Sequence, residues 1–317
     1  MLAAGGNIDM NLIGLLKKAR AKWEYMNRKQ KGALYELRLR TWFLRQPPAF
    51  LVLGAQKAGT TSLADYLDQH PQLHMSRYMK EINYFSSISE KKNRDKYGKG
   101  IGWYRAFWDV HLNPFARQLN FEATPYYLYQ PVAAERIARD LPNAQFIVLM
   151  RDPVERAISH YLMNRSNGWE DLPMLQAFER EEQRMAEARA SGDPFHANYY
   201  YFSYQGRGRY AEQLRRWFGL FPRERFLLLR SDHLQADPQA VLRQVYHFLG
   251  VRQNFAAQDL APRNVNREKA QIDPLARQYL AEVFAPHNQD LATLLGLDLT
   301  GWAGFEGANN QPDATRV

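Results

Sequence analysis

The segment from Phe50 to Pro71 constrains this chain most, because it reads as a short apolar strand, a glycine-bearing loop and then a helix. Phe50-Leu-Val-Leu-Gly54 is a run of the kind that becomes a buried strand. Gly54-Ala-Gln-Lys-Ala-Gly-Thr-Thr61 follows at once, and Ser62 to Gln69 has helical spacing with a stop at Pro71. Such a loop aims backbone N–H groups and the positive end of a helix at an anion. The phosphate-loop pattern GxxxxGK[ST] is nearly met, but Thr60 follows the second glycine and the lysine sits earlier, at Lys57. A lysine there, with hydroxyls at Thr60, Thr61 and Ser62, can hold a phosphate and its bridging oxygen without the usual lysine and magnesium arrangement. Taken alone, an ordinary strand-to-helix turn needing Gly59 for its geometry would carry the same residues.

Two further units repeat the pattern. Pro142 to Met150 reads as a second buried strand, ending in Arg151-Asp-Pro153 and followed by a helix over Val154–Arg165. Arg151 thus leaves the C-terminal end of a strand, where ligands of open α/β sheets gather, and Ser159, two helical turns on, shares a face with it. Arg225 to Arg230 is a third strand, with a helix from Pro238 to Leu249. The expected fold is α/β, a P-loop-like domain with a mostly parallel central sheet flanked by helices on both faces.

Composition narrows the function classes. The 317 residues include no cysteine, which excludes disulfides, thiolate zinc sites and cysteine nucleophiles. The apolar runs Phe50–Leu53 and Phe146–Met150 fall far short of the roughly 20 residues that span a bilayer. Lys17, Lys18, Arg20 and Lys22 interrupt any signal-peptide core, so a cytoplasmic location is expected. The formal charge is +9, yet residues 1–48 hold ten basic against three acidic residues, leaving the remainder nearly neutral. That distribution argues against a nucleic-acid partner and for a basic helical extension. Leu12, Leu15, Leu16, Ala19, Trp23 and Met26, then Leu34, Leu37, Leu39, Trp42 and Phe43, give it one or two amphipathic helices. Its apolar face either packs on the main domain or lies on an anionic membrane. The division is therefore 1–48 extension, 49–302 main domain and 303–317 flexible tail.

Gln56-Lys-Ala-Gly-Thr-Thr-Ser62 and Arg151-Asp-Pro-Val-Glu-Arg-Ala-Ile-Ser159 together resemble the two signatures of sulfotransferases that use 3′-phosphoadenosine 5′-phosphosulfate (PAPS). Lys80-Glu-Ile-Asn-Tyr-Phe85, Lys99-Gly-Ile-Gly-Trp-Tyr104 and Phe121-Glu-Ala-Thr-Pro-Tyr126 are similar to the branch that includes heparan sulfate sulfotransferases and bacterial relatives, a likeness that runs on to Trp302. The resemblance implies that Gln56, Lys57, Ala58, Gly59, Thr60, Thr61 and Ser62 grip the 5′-phosphosulfate, while Arg151 and Ser159 grip the 3′-phosphate. It places the catalytic base at Glu81, with His70 and His74 as rivals, and gives Lys57 a catalytic part. A basic loop closing over the donor puts Arg267 on the family's arginine, with Lys269 or Arg263 substituting for a lysine that falls on Val265. Acceptor contacts are expected from Lys80, Tyr84 and Tyr126.

Sulfuryl transfer passes through a loose in-line transition state, so positioning and charge stabilisation do most of the work. The sulfuryl group carries less negative charge than a terminal phosphoryl group, so a lysine and backbone N–H groups can suffice and no metal is demanded. Two departures, Ala123 and Ser86, weaken the case for a heparan-like polyanion as acceptor. The abundant tyrosines suit stacking on sugar rings, although Tyr127 and Tyr200 are expected in the core. The charged stretch from Glu170 to Gly192 is expected as a solvated helix. The implied reaction moves a sulfuryl group from PAPS to a hydroxyl, less readily an amine, of a glycan or glycolipid. Two other readings stay open: a small lipid or polyketide-like alcohol as acceptor, and a nucleotide-binding protein without transfer activity.

Overall fold

The computed structural model describes residues 28–76, 78–86, 95–111, 117–263 and 272–305, with side chains from residue 34 onward. In chain order the helices and strands are α1 (Arg28–Arg40), β1 (Phe50–Gly54), α2 (Thr60–Leu67), β2 (Leu73–Met75), α3 (Gly100–Arg105), β3 (Leu119–Ala123), α4 (Pro131–Asp140), β4 (Gln145–Met150) and α5 (Pro153–Ser166). The second half adds α6 (Met174–Glu179), α7 (Glu181–Ala190), α8 (Ala197–Tyr201), α9 (Tyr210–Phe218), β5 (Phe226–Arg230), α10 (Ser231–Ala236), α11 (Pro238–Leu249) and α12 (Pro274–Leu295).

The five strands form one sheet in the order β2-β3-β1-β4-β5, and every adjacent pair is parallel. The apolar runs of β1 and β4 are buried on both faces, as a helix-covered parallel sheet requires. From β1 the chain crosses toward β2, whereas from β4 it crosses the opposite way to β5. With right-handed crossovers this reversal puts helices on both faces and opens a crevice at the C-terminal ends of the neighbouring strands β1 and β4. The loop at Lys57 leaves β1 and Arg151 leaves β4, so both expected anion-binding segments meet at that crevice.

Local chemistry sets the helix starts. Asp152 caps α5, its Oδ1 accepting from the N–H groups of Val154 and Glu155 at 2.8 and 3.4 Å, with Pro153 in the first helical position. Asp237 and Asp273 do the same for α11 and α12.

The three strands expected from apolar runs are present, and β2 and β3 join them. The charged stretch is corrected: it forms two helices, and Glu170 and Glu181 are buried, not solvated. Glu170 takes Arg184 and the Tyr204 hydroxyl, whereas Glu181 accepts the N–H groups of Gln205 and Gly206. The start of the expected tail is also corrected. The Ala303 N–H donates to Asp152 Oδ2 at 2.7 Å, its carbonyl accepts from Asn288, and Phe305 packs on the core.

Of the extension, residues 1–27 and their expected apolar helix lie outside the described residues. The part seen is tied to the domain by Arg38, which is 5% exposed. Its guanidinium donates to the carbonyls of Ala106 and Trp108 and pairs with Asp109. Leu37, Phe43 and Leu44 instead remain 54–61% exposed.

Candidate active site

The loop between β1 and α2 is built from an unusual backbone. Lys57 has φ 72°, a left-handed conformation that a side-chain-bearing residue adopts only when its neighbours hold it there. Gly59 has φ 98° and starts α2, so its lack of a Cβ is required by conformation and not by space. Two arginines hold the loop. Arg151 Nη1 donates to the Lys57 carbonyl at 3.1 Å, and Arg207 Nη1 donates to Gln56 Oε1.

Positive charge concentrates behind this loop. Burial lowers the Lys57 ammonium pKa, and Arg151 and Arg156 push in the same direction. Arg156 has 0% exposure and a pKa pushed down to about 10 by burial; Nη2 donates to the Tyr204 carbonyl, but Nε and Nη1 have no partner. One turn on, His160 is 1% exposed with neither ring nitrogen bonded, and burial together with Arg207, Arg156 and Lys57 keeps it neutral. Buried Arg156, with unmet N–H groups, adds positive charge that suits an anion at this loop.

Ser159 is half-buried on α5. Thr60 is buried at the start of α2, whereas the Thr61 hydroxyl accepts from Lys80 Nζ. Ser62 Oγ accepts the Arg263 N–H at 2.9 Å, which docks the 259–263 segment on α2. The Arg263 guanidinium is engaged with Asp65 and Asp259. Arg267 and Lys269 lie outside the described residues.

Glu81 stands beside Lys80. Its carboxyl pKa is raised by burial, with Lys80 opposing. The segment is fixed by a carboxylate to which the sequence assigned no role. Glu122, at 0% exposure on β3, accepts from the Ile82 N–H at 3.2 Å and from the hydroxyls of Tyr104, Thr124 and Tyr127. The rival histidines sit elsewhere. His70 is buried, with Nε2 on the Arg252 carbonyl and Nδ1 accepting the Gln72 N–H, which makes it a structural residue. His74 lies on β2, its ring beside His111.

Two tyrosines expected as acceptor contacts are buried. Tyr84 is 1% exposed because its ring stacks on Tyr104 at 4.6 Å, and Tyr126 is 3% exposed beneath the Arg207 guanidinium. Tyr127 is in the core as expected, but Tyr200 is only half-buried, edge-on to Tyr126. Arg207 was missed because an isolated arginine carries no local pattern, and Glu122, although it lies in the Phe121–Tyr126 segment, was given no role; only the fold brings each to its partners.

A family model described as "Sulfotransferase domain" matches residues 47–271. Among curated proteins, the membrane-associated sulfotransferase kil1 of Dictyostelium discoideum is 28% identical over 326 residues, covering 79% of this chain and 66% of that protein. The human bifunctional heparan sulfate N-deacetylase/N-sulfotransferase 3 is 30% identical over 287 residues, covering 80% of this chain and 31% of that protein. The chain therefore spans just under two thirds of the first relative and less than a third of the second. Among solved structures, a sulfotransferase from Alicyclobacillus acidocaldarius superposes with TM-score 0.66 at 27% identity, covering 81% of this chain and 99% of that one.

Proposed function

The chain belongs to the sulfotransferase domain family, and from that premise we propose that it transfers a sulfuryl group from PAPS to a hydroxyl of a glycan or glycolipid. The observation that carries the reading is the meeting of Lys57 and Arg151 at the crevice, backed by the unpartnered N–H groups of buried Arg156. A donor with phosphates at both ends of its ribose fits two cationic subsites.

When bound, the donor supplies an activated sulfuryl group on a phosphate leaving group. Gln56 to Ser62 cradle the 5′ end, and the Lys57 ammonium neutralises charge that builds on the leaving oxygen. Arg151 and Ser159 hold the 3′-phosphate, and Arg267 and Lys269 close the loop over the donor. Glu81 takes the proton of the acceptor hydroxyl, its raised pKa making it a stronger base than an ordinary surface carboxylate. Lys80, anchored on the Thr61 hydroxyl, opposes the rise in that carboxyl's pKa and ties the base to the donor loop.

The glycan class is supported by the heparan sulfate relative, and a peripheral membrane contact by the relative named as membrane-associated. Exposed Leu37, Phe43 and Leu44 beside exposed Arg40 suit the edge of an anionic leaflet. Among the described residues no helix is long and apolar enough to cross a membrane. The reading is tested by incubating the protein with radiolabelled PAPS, with and without EDTA, against glycans, glycolipids and small lipid alcohols. Label on a glycan or glycolipid supports it, label only on small alcohols changes the acceptor class, and absence of transfer despite donor binding overturns it.

A further inference from the structure

Arg207 is 2% exposed, and its guanidinium joins three segments that are far apart in sequence. Nη1 donates to Gln56 Oε1 in the donor loop, while Nη2 donates to the carbonyls of Tyr199, at 3.1 Å, and Tyr200 on α8. Nε donates to Ser203 Oγ at 2.8 Å. The cation lies 4.7 Å from the ring centre of Tyr126, 5.5 Å from Tyr129 and 5.6 Å from Tyr200. The guanidinium thus donates in its plane to the loop and to α8 while resting on the aromatic wall beyond β3, which a lysine could not do at once. The segment that bears it is itself fixed, since Glu181 accepts the N–H groups of Gln205 and Gly206.

We propose that Arg207 is a positioning residue that couples the aromatic wall to the donor loop, so that the tyrosines around it help set the loop conformation that receives the donor. The coupling runs through Gln56, whose side chain is held by Arg207 and whose successor, Lys57, has the strained backbone. A disturbance of the wall should then reach the donor without any wall residue touching it. Binding energies of groups linked through one element are not additive, and a double-mutant cycle reads that link directly.

The inference rests on the proposed donor, so the test begins with calorimetry of 3′-phosphoadenosine 5′-phosphate on the wild-type chain. Gln56→Met cuts the link while leaving Arg207 over its rings, and Tyr126→Leu loosens the guanidinium from the other side. Each single change is expected to weaken binding about tenfold, the scale of one charge-assisted hydrogen bond, and the double change to weaken it no further. Arg207→Lys should match Gln56→Met, with thermal melts identifying any variant that has not folded. Losses from Gln56→Met and Tyr126→Leu that multiply, or a Tyr126→Leu variant with wild-type affinity, overturn the coupling. Failure of the wild type to bind the nucleotide overturns the donor assignment and the coupling together, whereas additive losses with normal wild-type binding overturn the coupling alone.

Discussion

Arg151 Nη1 donates to the backbone carbonyl of Lys57 at 3.1 Å, which fastens the first residue after β4 to the middle of the loop after β1. Arg151 also reaches Glu155 at 3.5 Å, and Glu155 is held by Arg277 from α12 at 2.5 Å. One guanidinium therefore shapes the loop and stands in the crevice where an anion would lie. Arg151→Lys keeps a charge but loses the planar fork that makes both contacts. Affinity for 3′-phosphoadenosine 5′-phosphate should fall roughly ten- to a hundredfold, with AMP affinity reduced much less. Calorimetry showing equal losses for both nucleotides would contradict a 3′-phosphate contact.

The base assignment predicts a separation of chemistry from binding. Glu81→Gln should lower turnover by roughly two to four orders of magnitude while nucleotide affinity stays near that of the wild type. The pH profile gives an independent reading. Glu81 must be ionised to act, and burial raises its pKa, so kcat/KM should fall with acid through a pKa above the ordinary glutamate value. Lys80 opposes that rise, so Lys80→Met should move the acid limb to higher pH. An unmoved limb would separate the titration from Glu81.

Glu181 predicts a stability effect with a definite sign. Burial raises its pKa to about 7 against the backbone N–H groups of Gln205 and Gly206, which pull it down. Because the folded state holds the proton more tightly than the unfolded chain, this group's contribution is fully present below about pH 4.5 and is lost as pH rises toward 7, by at most about 3 kcal/mol. Melting temperatures across pH 5 to 8 should fall more steeply for the wild type than for Glu181→Gln, which cannot titrate. Parallel curves would show that the carboxyl is ionised throughout.

How far the sequence could be read depended on whether a residue's neighbours in the chain or its neighbours in space decide its role. Strands β1, β4 and β5 are continuous apolar runs, so burial in a parallel sheet left a local mark. Strand β3 carries Asn120 and Glu122, which break the run, and they are tolerated because the fold satisfies them: Asn120 bonds the Gln46 carbonyl and His111, and Glu122 takes four donors. Strand β2 is three residues long and offers no period to detect. The placement of Lys57 and Arg151 was legible because each follows an apolar strand in a recognisable spacing. The burial of Tyr84 and Tyr126 was not legible, because a tyrosine's sequence context does not say whether its ring is covered, and here Tyr104 and Arg207 cover them.

The Ile82 N–H bond to Glu122 predicts that a wholly buried carboxylate affects the base segment without touching the reactants. Glu122→Gln replaces one acceptor oxygen by a donor amide among three hydroxyls and an N–H, so at least one buried partner is left unsatisfied, at about 1–3 kcal/mol. Melting temperature and turnover should both fall, while Glu122→Gln in a Glu81→Gln background should lower turnover little further. A full multiplicative loss in the double variant would show that Glu122 acts independently of Glu81.

The extension separates two roles that one helix could combine. Arg38 binds the carbonyls of Ala106 and Trp108, so deletion of residues 1–45 should lower the melting temperature by removing a buried guanidinium and leaving its acceptors open. Leu37, Phe43 and Leu44 are exposed and contribute little to that anchor, so changing all three to serine should leave stability nearly intact. If this face meets a membrane, the triple change should abolish sedimentation with vesicles containing phosphatidylserine, and raised salt should weaken wild-type binding by screening the basic residues. Nucleotide affinity should not change in the triple variant, because none of the three side chains belongs to the crevice. Vesicle binding that survives the triple change would move the membrane contact away from this face, and a large fall in melting temperature would show that the three side chains are packed in solution.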